Sequence, residues 1–141
     1  PSYRLPSAIH PTNSTAIYGR SLYEAEEDMN ALEQDLVKRL TAIPNVLWWH
    51  RNIARHGFAI NGYFNHYPDI MIMTKSGKII LAETKGEHLK NDDSQEKIEL
   101  GAAWRNAAGN QYRYYMVFQD EENLPHGAVS MGQFLETVKA L

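Results

Sequence analysis

The stretch from Tyr67 to Gly86, YPDIMIMTKSGKIILAETKG, decides how the rest of the chain is read. It divides into two short strands around a tight turn, with Pro68-Asp69 opening the first and Glu83-Thr84-Lys85 closing the second. The strands are built of Ile, Leu and Met, yet carboxylates and an ammonium stand together at one end. Buried charge is costly unless it is paired or binds a metal. Opposed residues of an antiparallel hairpin share a face, and faces alternate along each strand. A two-residue loop, Ser76-Gly77, sets Asp69 against Thr84 and turns Glu83 and Lys85 to the other side. A three-residue loop, Lys75-Ser76-Gly77, sets Asp69 against Glu83, with Lys85 on the same face two residues on. Three-residue loops commonly end in a residue of positive φ, the place Gly77 takes, so the second register is the expected one.

Both faces of this hairpin are apolar, with Ile70, Ile72, Ile80 and Ala82 on one and Met71, Met73, Ile79 and Leu81 on the other. That pattern belongs to strands covered on both sides, the interior of an α/β sheet. Two acids and an amine on one face can hold a divalent cation beside a phosphate. The plainer alternative is a buried hairpin whose end charges reach water, and Pro-Asp with Glu-x-Lys is by itself a loose pattern.

At 141 residues the chain is long enough for one domain with a real core. Residues 1–20 carry three prolines and many small polar side chains and read as an N-terminal arm or linker. Residues 21–141 read as the domain itself, excised from a longer protein. The absence of Cys excludes a disulfide framework and a thiolate zinc site and fits a cytoplasmic location. No apolar run has the length of a membrane span and no signal peptide is visible, so no membrane partner is expected. A net charge of −3 argues against tight autonomous binding of nucleic acid. The distribution is more favourable, since residues 46–113 hold nine Lys or Arg against seven Asp or Glu.

Ser21-Leu22-Tyr23-Glu24 reads as a capping box and predicts a helix from Ser21 to about Thr41, ending before Pro44. Its apolar stripe is Leu22, Ala25, Met29, Leu32, Leu36 and Leu40. Glu33 falls inside the apolar arc, one turn from Met29 and Val37. Either it snorkels from the border of the core, or it points at the metal as a third carboxylate, with Glu26 as the substitute. Val46–Arg51 is a strand, and Arg51 and Asn52, at its end, are candidate DNA-phosphate contacts or edge hydrogen-bonding groups.

The segment from Ile53 to Tyr67 reads as an irregular loop, and His56 and His66 match no metal-ligand spacing and are expected at the surface. A polar connection from Glu87 to Asp93 leads into a helix over 94–108. Ile98, Ala102, Trp104 and Arg105 are expected on its buried side, Gly101 close to the sheet, and Lys97 is a candidate to reach the site and DNA. Tyr112–Gln119 is a further strand, 120–127 a loop, and Met131–Leu141 a closing helix with Phe134, Leu135 and Val138 inward. The order predicts an α/β fold with a central mixed sheet of four or more strands flanked by helices.

With Glu33, Asp69, Glu83 and Lys85 in these positions, the chain resembles the PD-(D/E)xK nuclease superfamily, whose restriction-endonuclease-like core has the order αβββαβ. More narrowly it is similar to the C-terminal endonuclease domain of type III restriction enzymes and related DEAD/DEAH helicase–nuclease proteins. The similarity runs through Asn30-Ala31-Leu32-Glu33, Trp48-Trp49-His50-Arg51-Asn52, Tyr67-Pro68-Asp69, Glu83-Thr84-Lys85-Gly86, Lys97 and Gly101-Ala102-Ala103-Trp104. It covers about residues 20 to 118, and the ordered combination carries it rather than any one motif. The resemblance implies Mg²⁺, with Mn²⁺ as a substitute, held by Asp69, Glu83, Glu33 and the backbone carbonyl of Thr84. Lys85 is implied beside the attacking water, as base or as electrostatic stabiliser. The implied partners are double-stranded DNA, a helicase/ATPase domain of the same chain and a methyltransferase subunit. The alternative is a catalytically silent nuclease-like scaffold that docks a helicase or methyltransferase subunit.

Overall fold

A computed structural model describes residues 3–11, 18–61, 64–86 and 92–141. In chain order the elements are α1 (Ala31–Leu40), β1 (Val46–Arg51), β2 (Ile60–Asn61), β3 (Asn65–His66), β4 (Ile70–Thr74), β5 (Ile79–Lys85), α2 (Asp92–Ala108), β6 (Tyr112–Phe118), β7 (Val129–Ser130) and α3 (Met131–Ala140). Five strands form one mixed sheet in the order β1-β4-β5-β6-β7, and β2 pairs only with β3. The run β1-β4-β5 is an antiparallel meander, whereas β6 lies parallel to β5 after the crossover through α2, and β7 lies parallel to β6. The chain is thus an α/β protein with a five-stranded mixed sheet flanked by helices.

The central hairpin has the register that places Asp69 against Glu83. Ile70 lies opposite Ala82, Met71 opposite Leu81, Ile72 opposite Ile80 and Met73 opposite Ile79. The turn is Lys75-Ser76-Gly77, closed by Thr74 and Lys78, and Gly77 has φ +90°. Glycine takes that conformation without a Cβ clash. The two apolar faces are covered as their composition demands. Ile70, Ile72, Ile80 and Ala82 pack with Leu36, Val37 and Leu40 of α1 and Phe134 and Val138 of α3. Met71 and Leu81 pack on the opposite face with Tyr114, Leu100 and Trp104.

The first helix differs from expectation. It begins at Ala31, with Asn30 and Glu33 forming the capping box, and not at Ser21. Ser21 is used otherwise, its hydroxyl donating to Glu26. The stretch before α1 runs beside β1: Trp49 N–H donates to Arg20 O, Leu22 N–H to Trp49 O, and the Trp49 indole N–H to Gly19 O. It thereby covers an edge whose backbone groups would otherwise be open to another chain. A bulge between Val46 and Trp48 leaves Leu47 as an exposed apolar side chain.

Other expectations are corrected as well. The segment between Ile53 and Tyr67 contains the β2–β3 ribbon, and His66 is buried with Nε2 2.7 Å from the Tyr114 hydroxyl, while His56 is exposed. On α2, Ala102 and Arg105 are exposed, so its buried side is Ser94, Ile98 and Gly101 with Trp104 half-buried. The short strand β7 joins the sheet just before α3, between the expected loop and the closing helix. The connection expected over residues 87–93 lies almost wholly outside the described residues. Among the described residues no helix is long and apolar enough to cross a membrane.

Gly101 is where α2 touches the sheet, because a Cβ there would stand 2.2 Å from the Tyr114 ring. Gly101→Val is expected to force α2 off β6 and to destabilise the protein by about 1–3 kcal/mol, as overpacked cores do. Urea unfolding checks this, and a midpoint equal to wild type would show that the close approach is not maintained in solution.

Candidate active site

The end of the central hairpin carries charge because its two strands finish together there. Asp69 immediately precedes β4, and Glu83, Thr84 and Lys85 are the last residues of β5. The capping box at the start of α1 delivers Glu33 to the same place. Asn30 N–H donates to Glu33 Oε1 at 2.9 Å and Glu33 N–H to Asn30 Oδ1 at 2.9 Å, leaving Oε2 to face the site. Asn30, Glu33, Arg51, Asp69, Glu83, Thr84 and Lys85 line one open cavity of about 530 Å³.

Each acid is held differently. Thr84 fixes Asp69, its N–H and hydroxyl donating to Oδ2 at 2.9 and 3.1 Å. Asp69 Oδ1 lies 3.7 Å from Arg51 Nη1, and Glu33 Oε2 lies 3.4 Å from Arg51 Nη2. Glu83, only 5% exposed, has Oε2 between two ammonium groups, Lys85 of its own strand and Lys97 of α2, each at 3.6 Å. Its other oxygen, Oε1, is buried and has no hydrogen-bond partner among the described residues.

This crowding shows in the acidities. Burial, then the charge of Asp69, raise the Glu83 carboxyl to about 8, although Lys85 and Lys97 pull the other way. Burial and Asp69 likewise raise Glu33 to about 7 against the opposing pull of Arg51. Burial, Glu83 and Asp69 also push the Tyr114 hydroxyl up. Burial and the neighbouring Asp69 charge make it costly to ionise both acids, and one buried oxygen of Glu83 has no hydrogen-bond partner among the described residues. A divalent cation offsets that cost, so the donor set suits a hard oxygen-seeking ion. The acids do not form a closed cage: among the described residues no three His, Cys, Asp or Glu side chains make a ready metal-binding group.

The site residues expected from sequence fall into two groups. Glu33, Asp69, Glu83, Thr84 and Lys85 come together, and Arg51 and Lys97 join them as partners of the carboxylates. Glu26 does not. It is 0% exposed, lies outside any helix, and accepts from Arg51 N–H at 3.0 Å and Ser21 Oγ at 2.9 Å while facing His50 Nδ1 at 2.8 Å. Asn52 is also buried, its amide binding Phe58 N and O and Pro68 O, so its side chain is not available to DNA. It pins the chain that carries Pro68 and Asp69. The His66–Tyr114 pair near these acids had no sequence signal, since the two residues are 48 positions apart and meet only through packing.

No family model, curated protein or solved structure matches the chain.

The raised carboxyl of Glu83 sets a pH dependence in buffer free of divalent ions. Unfolded, the group titrates near 4.5, and folded near 8. Between these values the unfolded chain releases the proton first, so stability falls as pH rises from 4.5 to 8 and levels off above. Wild type is expected to lose on the order of 2 kcal/mol across this window relative to Glu83→Gln. A pH-independent difference between their urea midpoints would refute the assignment.

Proposed function

We propose that the chain is a Mg²⁺-dependent DNA endonuclease domain with a restriction-endonuclease-like core of the PD-(D/E)xK type. The observation that carries the reading is the meeting of Asp69 and Glu83 across one hairpin register, with Lys85 3.6 Å from Glu83 and Glu33 alongside. The order α1-β1-β4-β5-α2-β6, an antiparallel meander followed by a crossover to a parallel strand, supports the same core. In this reading Asp69, Glu83 and the Thr84 carbonyl hold the ion and Glu33 completes the acidic set. Mn²⁺ substitutes for Mg²⁺ on the same oxygens.

When bound, the ion supplies Lewis acidity, lowering the pKa of a bound water and offsetting charge on the phosphate. The chain's own groups do the rest. Thr84 fixes Asp69 through two hydrogen bonds, so the carboxylate is oriented before substrate arrives. Lys85 presents an ammonium where negative charge grows on phosphorus, and a preorganised charge in a partly buried site needs no rearrangement to act. Lys97, beside the same carboxylate from α2, adds a second cation for the DNA backbone. Double-stranded DNA is the proposed substrate, a helicase/ATPase domain of the same chain the proposed partner that brings it, and a methyltransferase subunit a further partner.

An exposed aromatic surface on the Trp48–Trp49 strand or on α3 would favour the scaffold alternative. Trp49 and Phe134 are fully buried and Trp48 is packed on the Met71–Leu81 face, so neither element favours it.

Asp69→Ala and Lys85→Ala are each expected to lower plasmid nicking in Mg²⁺ by about 10²-fold or more. Asp69→Ala is also expected to abolish the heat of Mn²⁺ binding in calorimetry. Cleavage at the wild-type rate by the doubly substituted protein would overturn the assignment, as would wild-type Mn²⁺ affinity in Asp69→Ala.

A further inference from the structure

We propose that the Arg51 guanidinium occupies the place of a second cation, so that the site takes a single divalent ion, between Asp69 and Glu83. This presupposes the metal-dependent reading above and deepens it, because it assigns the stoichiometry and removes Glu33 from direct ligation.

Arg51 is built in rather than adventitious. Its Nη1 donates to two backbone carbonyls, Asn52 O at 2.8 Å and Asp69 O at 3.0 Å, which hold it at the end of β1. From there Nη2 meets Glu33 Oε2 at 3.4 Å and Nη1 meets Asp69 Oδ1 at 3.7 Å, so one planar cation bridges acids from α1 and from the start of β4. Paired metal ions in phosphoryl-transfer sites stand about 3.5–4 Å apart and share a carboxylate in the same way. A guanidinium fixed between two of the three acids repels a divalent ion from that gap, and it is always charged.

Most acceptors of the site are already engaged. Glu33 Oε1 is committed to the capping box and Oε2 to Arg51. Asp69 Oδ2 is filled by the two donors of Thr84. Glu83 Oε2 faces two ammonium groups. What is left is the buried Glu83 Oε1, which has no hydrogen-bond partner among the described residues, and Asp69 Oδ1, whose 3.7 Å contact with Arg51 Nη1 is beyond hydrogen-bond reach. Two carboxylate oxygens with several waters are what Mg²⁺ ordinarily accepts from protein.

The test is the number of Mn²⁺ ions bound, read by calorimetry and by electron paramagnetic resonance of the free ion, on the full chain. Wild type is expected to bind one ion. Arg51→Gln, which keeps a polar side chain but carries no charge, is expected to bind two, and Arg51→Lys to remain at one. Two ions on wild type, or one on a folded Arg51→Gln protein, would overturn the inference while leaving the metal-dependent reading intact. No ion on wild type would end both. Should Arg51→Gln fail to fold, as judged by thermal melting, Glu33→Gln decides. Its amide oxygen can still accept from Asn30, so a Mn²⁺ affinity within about a hundredfold of wild type, the range an outer partner costs, supports the inference, and a larger loss refutes it.

Discussion

The pairing of β4 with β5 is the constraint on which the remaining features depend. Because side chains alternate with a period of two, a register one residue away would move Glu83 and Lys85 to the opposite face from Asp69. The three-residue turn ending in Gly77 fixes that register. The covering of both faces, by α1 and α3 on one and α2 on the other, makes any slip expensive in buried apolar area. The charged end of the hairpin is therefore not held by its charges. Apolar packing along the rest of both strands buries these groups and forces like charges together, and the raised carboxyls of Glu33 and Glu83 record both costs, burial first.

The surrounding chain is arranged to contain that cost. The segment before α1 covers the outer edge of β1, and Glu26 within it accepts the Arg51 N–H while meeting His50. That network fixes the backbone at the end of β1, from which the Arg51 side chain crosses to Asp69 and Glu33. Asn52, the next residue, ties the loop at Phe58 to Pro68 and so anchors the entry into β4. Buried polar groups satisfied in this way specify one arrangement, because each alternative leaves a donor or acceptor without a partner. From the opposite side, close approach at Gly101 brings α2 near enough for Lys97 to reach Glu83.

Much of this was legible in the sequence, and what was missed has physical causes. Strand periodicity and Gly77 were enough for the hairpin and for its shared-face acids, since both are local. The sheet flanked by helices followed from the order of elements. The start of the first helix was misread because Ser21–Glu24 and Asn30–Glu33 both carry the capping pattern, and only the tertiary demand for an edge cover on β1 chooses between them. That choice matters for the site. With Asn30 as the cap and the helix beginning at Ala31, Glu33 stands in its first turn, one oxygen bound to the cap and the other turned outward. For Arg51 the sequence leaves phosphate contact and edge hydrogen bonding both open, because it shows a cation without showing which anion it meets. The burial of His66 against Tyr114 depends on the β2–β3 ribbon, whose strands of two residues each lie below the length at which periodicity can be seen.

The charge balance bears on how such a site meets a polyanion. Among the described residues, Glu33, Asp69 and Glu83 face Arg51, Lys85 and Lys97, so the formal charges cancel when all six groups are ionised. The whole chain carries −3. In this state neither the site nor the molecule has a net attraction for DNA. On the proposed reading, one divalent ion turns the site to +2 without altering the fold, whereas two would make it +4 with a guanidinium in the same gap. Coulomb repulsion grows with the product of the charges and is least screened where water is excluded. On that reading a single ion is the loading that lets the cavity attract a phosphate while Arg51 stays seated on Glu33 and Asp69, and it reconciles the chain's acidic balance with the proposed nucleic-acid substrate at this one place.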